Sequence, residues 1–148
     1  MGLLEKLQNE MKQAMKNKDR DRLSTIRMLI SEIKKVQIDS KKDLSDEEIV
    51  KILQKYAKQR KDAIEQYKNA GREDLVEKEE KELKIVNEFL PEQLSEEEVE
   101  KIVAETIEEL NASSMKDMGR VMKAVMSKIA GKADGSIVSK IVKNKLNN

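Results

Sequence analysis

Phe89-Leu90-Pro91-Glu92-Gln93-Leu94-Ser95-Glu96-Glu97-Glu98 contains a helix stop followed at once by a helix start, around the only proline in 148 residues. Proline has no amide donor and its ring clashes with the preceding turn, so a helix arriving through Val86 and Phe89 must end near Leu90. Ser95 and Glu98 then have capping-box spacing, in which each side chain satisfies an amide at the start of the next helix. Leu90 and Leu94 flank the break with apolar side chains, which marks a joint between two helical bodies. Residues 1–93 are expected to form the larger body and residues 94–148 the smaller.

Working outward, the periodicity is helical throughout. Upstream, Leu4, Leu7, Met11 and Met15 mark a first helix over Leu3–Asn17. A second carries Leu23, Ile26, Leu29, Ile30, Ile33 and Val36, with Asp19 or Asp21 as its cap. Ser45 and Glu48 repeat the capping box and open the longest helix, along Ile49, Ile52, Leu53, Tyr56, Ala63, Ile64 and Tyr67. Gly71 follows it as a left-handed cap. The fourth helix, Glu73 to Leu90, has only a thin apolar stripe, and Glu77 through Glu82 reads as a solvated face with i,i+4 Glu–Lys pairs. Four such helices make a small bundle.

Downstream, Val99, Ile102, Val103, Ile107 and Leu110 mark a fifth helix. Ser114 with Asp117 caps a sixth, whose inward residues are Met118, Val121, Met122, Val125, Met126 and Ile129. Gly131 suits the end of that helix and Asp134 the start of a seventh, which is lined by Ile137, Val138, Ile141, Val142 and Leu146. Gly119 lies inside the sixth helix, where glycine costs on the order of 1 kcal/mol against alanine, so a close backbone neighbour is expected there.

Composition agrees with an all-α protein: 40% of residues are charged, only 2% are aromatic, and Gly and Pro number 5 and 1. There is no Cys or His, which removes the usual neutral-pH base, the soft nucleophile and the commonest metal ligand. No glycine-rich phosphate loop is present either. Ser113-Ser114 followed by Lys116 lacks the preorganised oxyanion scaffold that serine–lysine amide hydrolysis requires, and capping explains both serines. No catalytic residue, metal or cofactor is therefore expected. The N-terminus meets charge before a signal h-region can form, and no apolar run reaches membrane-spanning length. The expected location is cytoplasmic, with no membrane partner.

The net charge of +1 conceals segregation: 18 Lys/Arg against 12 Asp/Glu in residues 1–72, 4 against 15 in 73–111, and 8 against 2 in 112–148. On charge alone, solvated helix surfaces explain this well. Spacing adds more, because Lys116, Arg120, Lys123 and Ser127 fall on one ridge opposite the methionine stripe. Lys128 and Lys132 continue the positive charge into the turn, and Lys140 and Lys143 add to it from the last helix. A polyanion held by its phosphates suits such a surface. With so few aromatics, backbone recognition of folded RNA is favoured over base stacking. The methionines Met115, Met118, Met122 and Met126 read first as core and second as an adaptable groove for a partner helix.

Three blocks carry a resemblance. Asp117-Met118-Gly119-Arg120-Val121-Met122-Lys123, Gly131-Lys132-Ala133-Asp134-Gly135, and Val138 with Ile141-Val142-Lys143 resemble the tail domain of GatB. GatB is a subunit of the glutamine-dependent amidotransferase that acts on mischarged Glu-tRNA(Gln) or Asp-tRNA(Asn). Leu23-Ser24-Thr25-Ile26-Arg27-Met28-Leu29 and Phe89-Leu90-Pro91-Glu92-Gln93-Leu94 look like the free-standing YqeY family, over essentially the whole chain. The resemblance implies a four-helix bundle joined to a three-helix bundle, with Pro91, Ser95, Gly119, Gly131, Asp134 and Gly135 shaping the backbone. It also supplies tRNA as the polyanion for the cations Arg120, Lys123, Lys128, Lys132, Lys140 and Lys143, beside an amidotransferase or a tRNA synthetase. The family's label of carbon–nitrogen ligase with glutamine as amido donor attaches by domain association. GatB's catalytic cradle is not in this chain, so no catalysis is expected from it alone. The other expectation is a protein-interaction module that docks on a synthetase or amidotransferase through the methionine face.

Overall fold

The computed structural model describes residues 2–147. Among them the chain is all-α: α1 (Leu3–Lys16), α2 (Arg20–Ser40), α3 (Asp46–Asn69), α4 (Glu73–Glu88), α5 (Glu96–Glu109), α6 (Met118–Ile129) and α7 (Gly135–Asn147), with a 3-10 turn at Met115–Asp117 and no strand. The chain divides into two compact units, Met1–Pro91 and Glu92–Asn148.

In the first unit, Leu7, Ile26, Leu29, Ile33, Ile49, Leu53, Val86 and Phe89 form one buried cluster drawn from all four helices. The buried stripe of α1 runs through Leu7 and Ala14, while Met15, expected inside, is half exposed. Each step of four residues drifts about 40° around a helix, so a 7–11–15 line walks off the core face and a 7–11–14 line stays on it. Asp19 is the α2 cap, accepting from the Arg22 amide at 3.2 Å. Ser45 and Glu48 close their capping box at the start of α3. At the far end Gly71 is left-handed (φ 70°), and the Arg72 amide donates to Tyr67 O at 2.9 Å in a Schellman motif.

The face of α4 departs from expectation. Glu79 is buried rather than solvated, and Glu79 and Glu82 each pair with Arg60 of α3 at 3.3 Å. Cross-helix pairing explains why a run so rich in glutamate packs against α3. Arg22 makes a second tie: its guanidinium binds Glu10 of α1 and Glu88 of α4 and lies 5.9 Å from the centre of the Phe89 ring. With Phe89 as its C-cap, α4 ends two residues before Pro91.

The second unit has its own cluster of Val99, Val103, Val121, Val125, Ile129, Val138, Ile141, Val142 and Leu146. The Ser95–Glu98 capping box is formed, with each amide donating to the other side chain at 3.2 Å. That geometry holds the Glu98 carboxyl below its ordinary value, chiefly through the Ser95 amide. Leu94 packs on this cluster, and its amide donates to Lys132 O at 2.8 Å. Thr106 is fully buried, which its hydroxyl permits by donating to Ile102 O at 2.7 Å within its own helix.

Candidate nucleic-acid interface

α6 and α7 present the cationic surface. α6 begins at Met118, three residues later than a Ser114 cap suggests, because Ser114 caps the 3-10 turn instead. Asp117 accepts from the Ser113 amide at 3.0 Å and from Arg120 at 3.2 Å. The Ser113 amide holds its carboxyl below the ordinary range. Val121, Val125 and Ile129 turn inward, which leaves Arg120, Lys123 and Ser127 exposed on the opposite side of the helix. α6 ends with Ala130 and Gly131 in left-handed conformations (φ 49° and 84°), and Asp134 caps α7 by accepting from the Ser136 amide at 3.0 Å.

The short turn folds α6 and α7 into a hairpin. Lys123, Lys132, Lys140 and Lys143 are exposed and join no carboxylate among the described residues. Arg120 is tethered to Asp117, yet its side chain keeps 53% of its surface exposed. Lys128 is placed differently: its ammonium donates to Thr106 Oγ1 at 3.0 Å and to Glu109 at 2.8 Å, tying α6 to α5.

Two structural expectations need correcting. Gly119 has no close backbone neighbour: a Cβ built there meets nothing within 4 Å, and the residue is exposed in the first turn of α6. At Gly135 a Cβ would meet only Met126 Cε, at 3.8 Å, an ordinary contact. The methionines divide. Met118, Met122 and Met126 are half-buried against the core of this unit, while Met115 is exposed. They flank the fully buried valines.

The family model described as "Yqey-like protein" matches residues 4–146, almost the whole of the chain. The chain belongs to the YqeY family. Over 141 residues it is 36% identical to "Altered inheritance of mitochondria protein 41, mitochondrial" of Pyrenophora tritici-repentis, covering 93% of this chain and 77% of that protein. The protein of the same name in Kluyveromyces lactis is 41% identical over 111 residues, 72% of this chain and 60% of the relative. A shorter match, 42% identical over 57 residues, is to one of the subunits of the glutamyl-tRNA(Gln) amidotransferase of Thermococcus gammatolerans. It covers 36% of this chain and 9% of that protein.

These relatives overturn the cytoplasmic expectation: the two that span most of the YqeY-like chain are mitochondrial proteins by name. The expectation rested on the lack of cysteine, of a signal h-region and of a spanning run, and none of these names a compartment. No helix among the described residues is long and apolar enough to cross a membrane.

Proposed function

We propose that this YqeY-family chain is a tRNA-binding accessory protein. Its C-terminal unit holds the folded body of tRNA by the phosphates, beside a glutamine-dependent tRNA amidotransferase or a tRNA synthetase. The observation that carries this is the exposed set Lys123, Lys132, Lys140 and Lys143, with no carboxylate partner among the described residues, on a hairpin that also exposes Arg120. Ammonium and guanidinium groups spaced along a rigid hairpin suit phosphates, which carry no base information and reward charge and position. The short match to an amidotransferase component whose name specifies glutamyl-tRNA(Gln) supports tRNA as the polyanion. The chain itself lacks His and Cys, so its part is to bind and position, and the amide chemistry belongs to the enzyme beside it.

Fluorescence anisotropy with labelled tRNA tests this. R120E/K123E should abolish binding while leaving the helical circular dichroism intact, because both side chains are exposed and neither touches the core. Wild-type affinity in that variant, still folded, would show the site to be wrong.

A further inference from the structure

The most exposed large apolar side chain among the described residues lies in the other unit. Ile38 of α2 is 75% exposed, and Met28 on the same helix is 49% exposed. Arg27, Lys34 and Lys35 share their side of the helix, and Lys41 is its left-handed C-cap, all exposed and none with a carboxylate partner among the described residues. At about 100° per residue the five helical side chains fall within an arc of roughly 120°, along some 16 Å of helix. Between them lies a shallow hollow of about 530 Å³, lined by Arg27, Ile30, Ser31, Lys34, Lys35 and Ile38. Asp39 at the rim is an acid lining the same hollow. Lys42 is spent on Glu48, at 3.2 Å.

We infer that this ridge of α2 is a docking surface for an anionic phospholipid bilayer, with Arg27, Lys34 and Lys35 facing the headgroups and Ile38 and Met28 entering the interface. Three occupants present negative charge, and the side chains separate them. RNA phosphates suit the cations but gain nothing from a protruding isoleucine. A partner helix needs an apolar contact at nearly every turn, whereas Met28 and Ile38 are about 15 Å apart along the axis with cations between them. A bilayer asks only for cations near its surface and scattered aliphatic side chains at acyl depth. This contact is peripheral and needs no spanning helix.

Co-sedimentation of the full chain with vesicles provides the test, comparing phosphatidylcholine alone with vesicles in which roughly a third of the lipid is phosphatidylserine. Binding is expected only to the anionic vesicles, and it should weaken as salt rises. K34Q/K35Q should lower partitioning about 25-fold, at about fivefold per cation. I38S should lower it about fivefold by removing the inserted side chain. K140Q/K143Q, in the other unit, should leave it unchanged. Equal binding to neutral vesicles, unchanged partitioning of K34Q/K35Q or of I38S, or loss in K140Q/K143Q would each overturn the assignment. If the wild type ignores the vesicles while K34Q/K35Q binds tRNA less tightly, the ridge belongs to RNA instead.

Discussion

Arg60 lies over the ring of Tyr56, with its guanidinium carbon 4.4 Å from the ring centre, and from there it reaches across to α4. One terminal nitrogen serves both Glu79 and Glu82 at 3.3 Å, and the buried Nε has no hydrogen-bond partner. The stack fixes the plane of the guanidinium, and the two carboxylates balance its charge where little water reaches. Arg60→Ala leaves Glu79 buried without its cation, so the first unit should lose about 2 kcal/mol of stability. Arg60→Lys should recover only part of this, because an ammonium lacks the planar face that stacks on Tyr56. Urea denaturation of the three proteins checks both statements; equal stability of Arg60→Ala and wild type would mean the pair contributes nothing.

Two helix ends share one motif but carry different residues. Lys18 and Gly71 each occupy the left-handed position of a Schellman cap (φ 56° and 70°), with the next amide donating back to Ala14 O at 3.0 Å and to Tyr67 O at 2.9 Å. A side chain in this conformation costs about 1 kcal/mol, so Lys18→Gly should stabilise and Gly71→Ala should destabilise by about that amount. A Cβ at Gly71 meets nothing within 4 Å, so the backbone conformation alone sets the sign there. Thermal denaturation midpoints moving in the same direction for both variants would contradict the argument.

Local chemistry made most of this fold legible. The serines at 45 and 95, each three residues before a glutamate, announce their capping boxes without tertiary information, and Pro91 ends α4 by its own geometry. What was hidden is pairing across helices. Nothing near Glu79 in sequence marks it as buried, because its partner lies nineteen residues away on another helix. Thr106 reads as polar until its own helix supplies the Ile102 carbonyl. Gly119 misled because glycine inside a helix implies a close neighbour only when the position faces one, and this one faces solvent. At the candidate site, spacing showed which cations share a ridge but could not show Glu109 claiming Lys128.

Acid should weaken both units through their helix starts. Glu48, Asp74, Glu98 and Asp117 all have folded pKa values below the ordinary carboxylate range, Glu48 through Lys42, Asp74 through Arg72, Glu98 through the Ser95 amide and Asp117 through the Ser113 amide. A carboxyl with a depressed folded pKa contributes stability that is complete above its unfolded pKa and is lost as pH falls through the folded one. Stability should therefore be level near neutrality and decline once the pH enters and passes below the carboxylate range. Gln keeps the capping-box hydrogen bond without titrating. E48Q/E98Q should accordingly show a shallower acid decline than wild type in helical circular dichroism. An identical pH profile would rule these caps out as its source.

The last prediction separates a lysine that holds the fold from one free to hold RNA. Lys128 and Lys123 sit five residues apart on α6, and sequence alone gives them equal standing. Their surroundings do not. The Lys128 ammonium already has Thr106 Oγ1 at 3.0 Å and Glu109 at 2.8 Å, so meeting a phosphate would mean giving up both. Lys123 is exposed with no such tie. Lys128→Met should keep tRNA affinity within about twofold while weakening the α5–α6 contact by about 1 kcal/mol, partly screened because Glu109 faces water. Lys123→Met should leave stability unchanged and weaken binding by one phosphate contact. The wild-type log–log salt slope, roughly −3 to −4 for four contacts, should then become shallower by about one in Lys123→Met and stay the same in Lys128→Met. If instead Lys128→Met flattens the salt slope, Lys128 leaves Glu109 for the RNA.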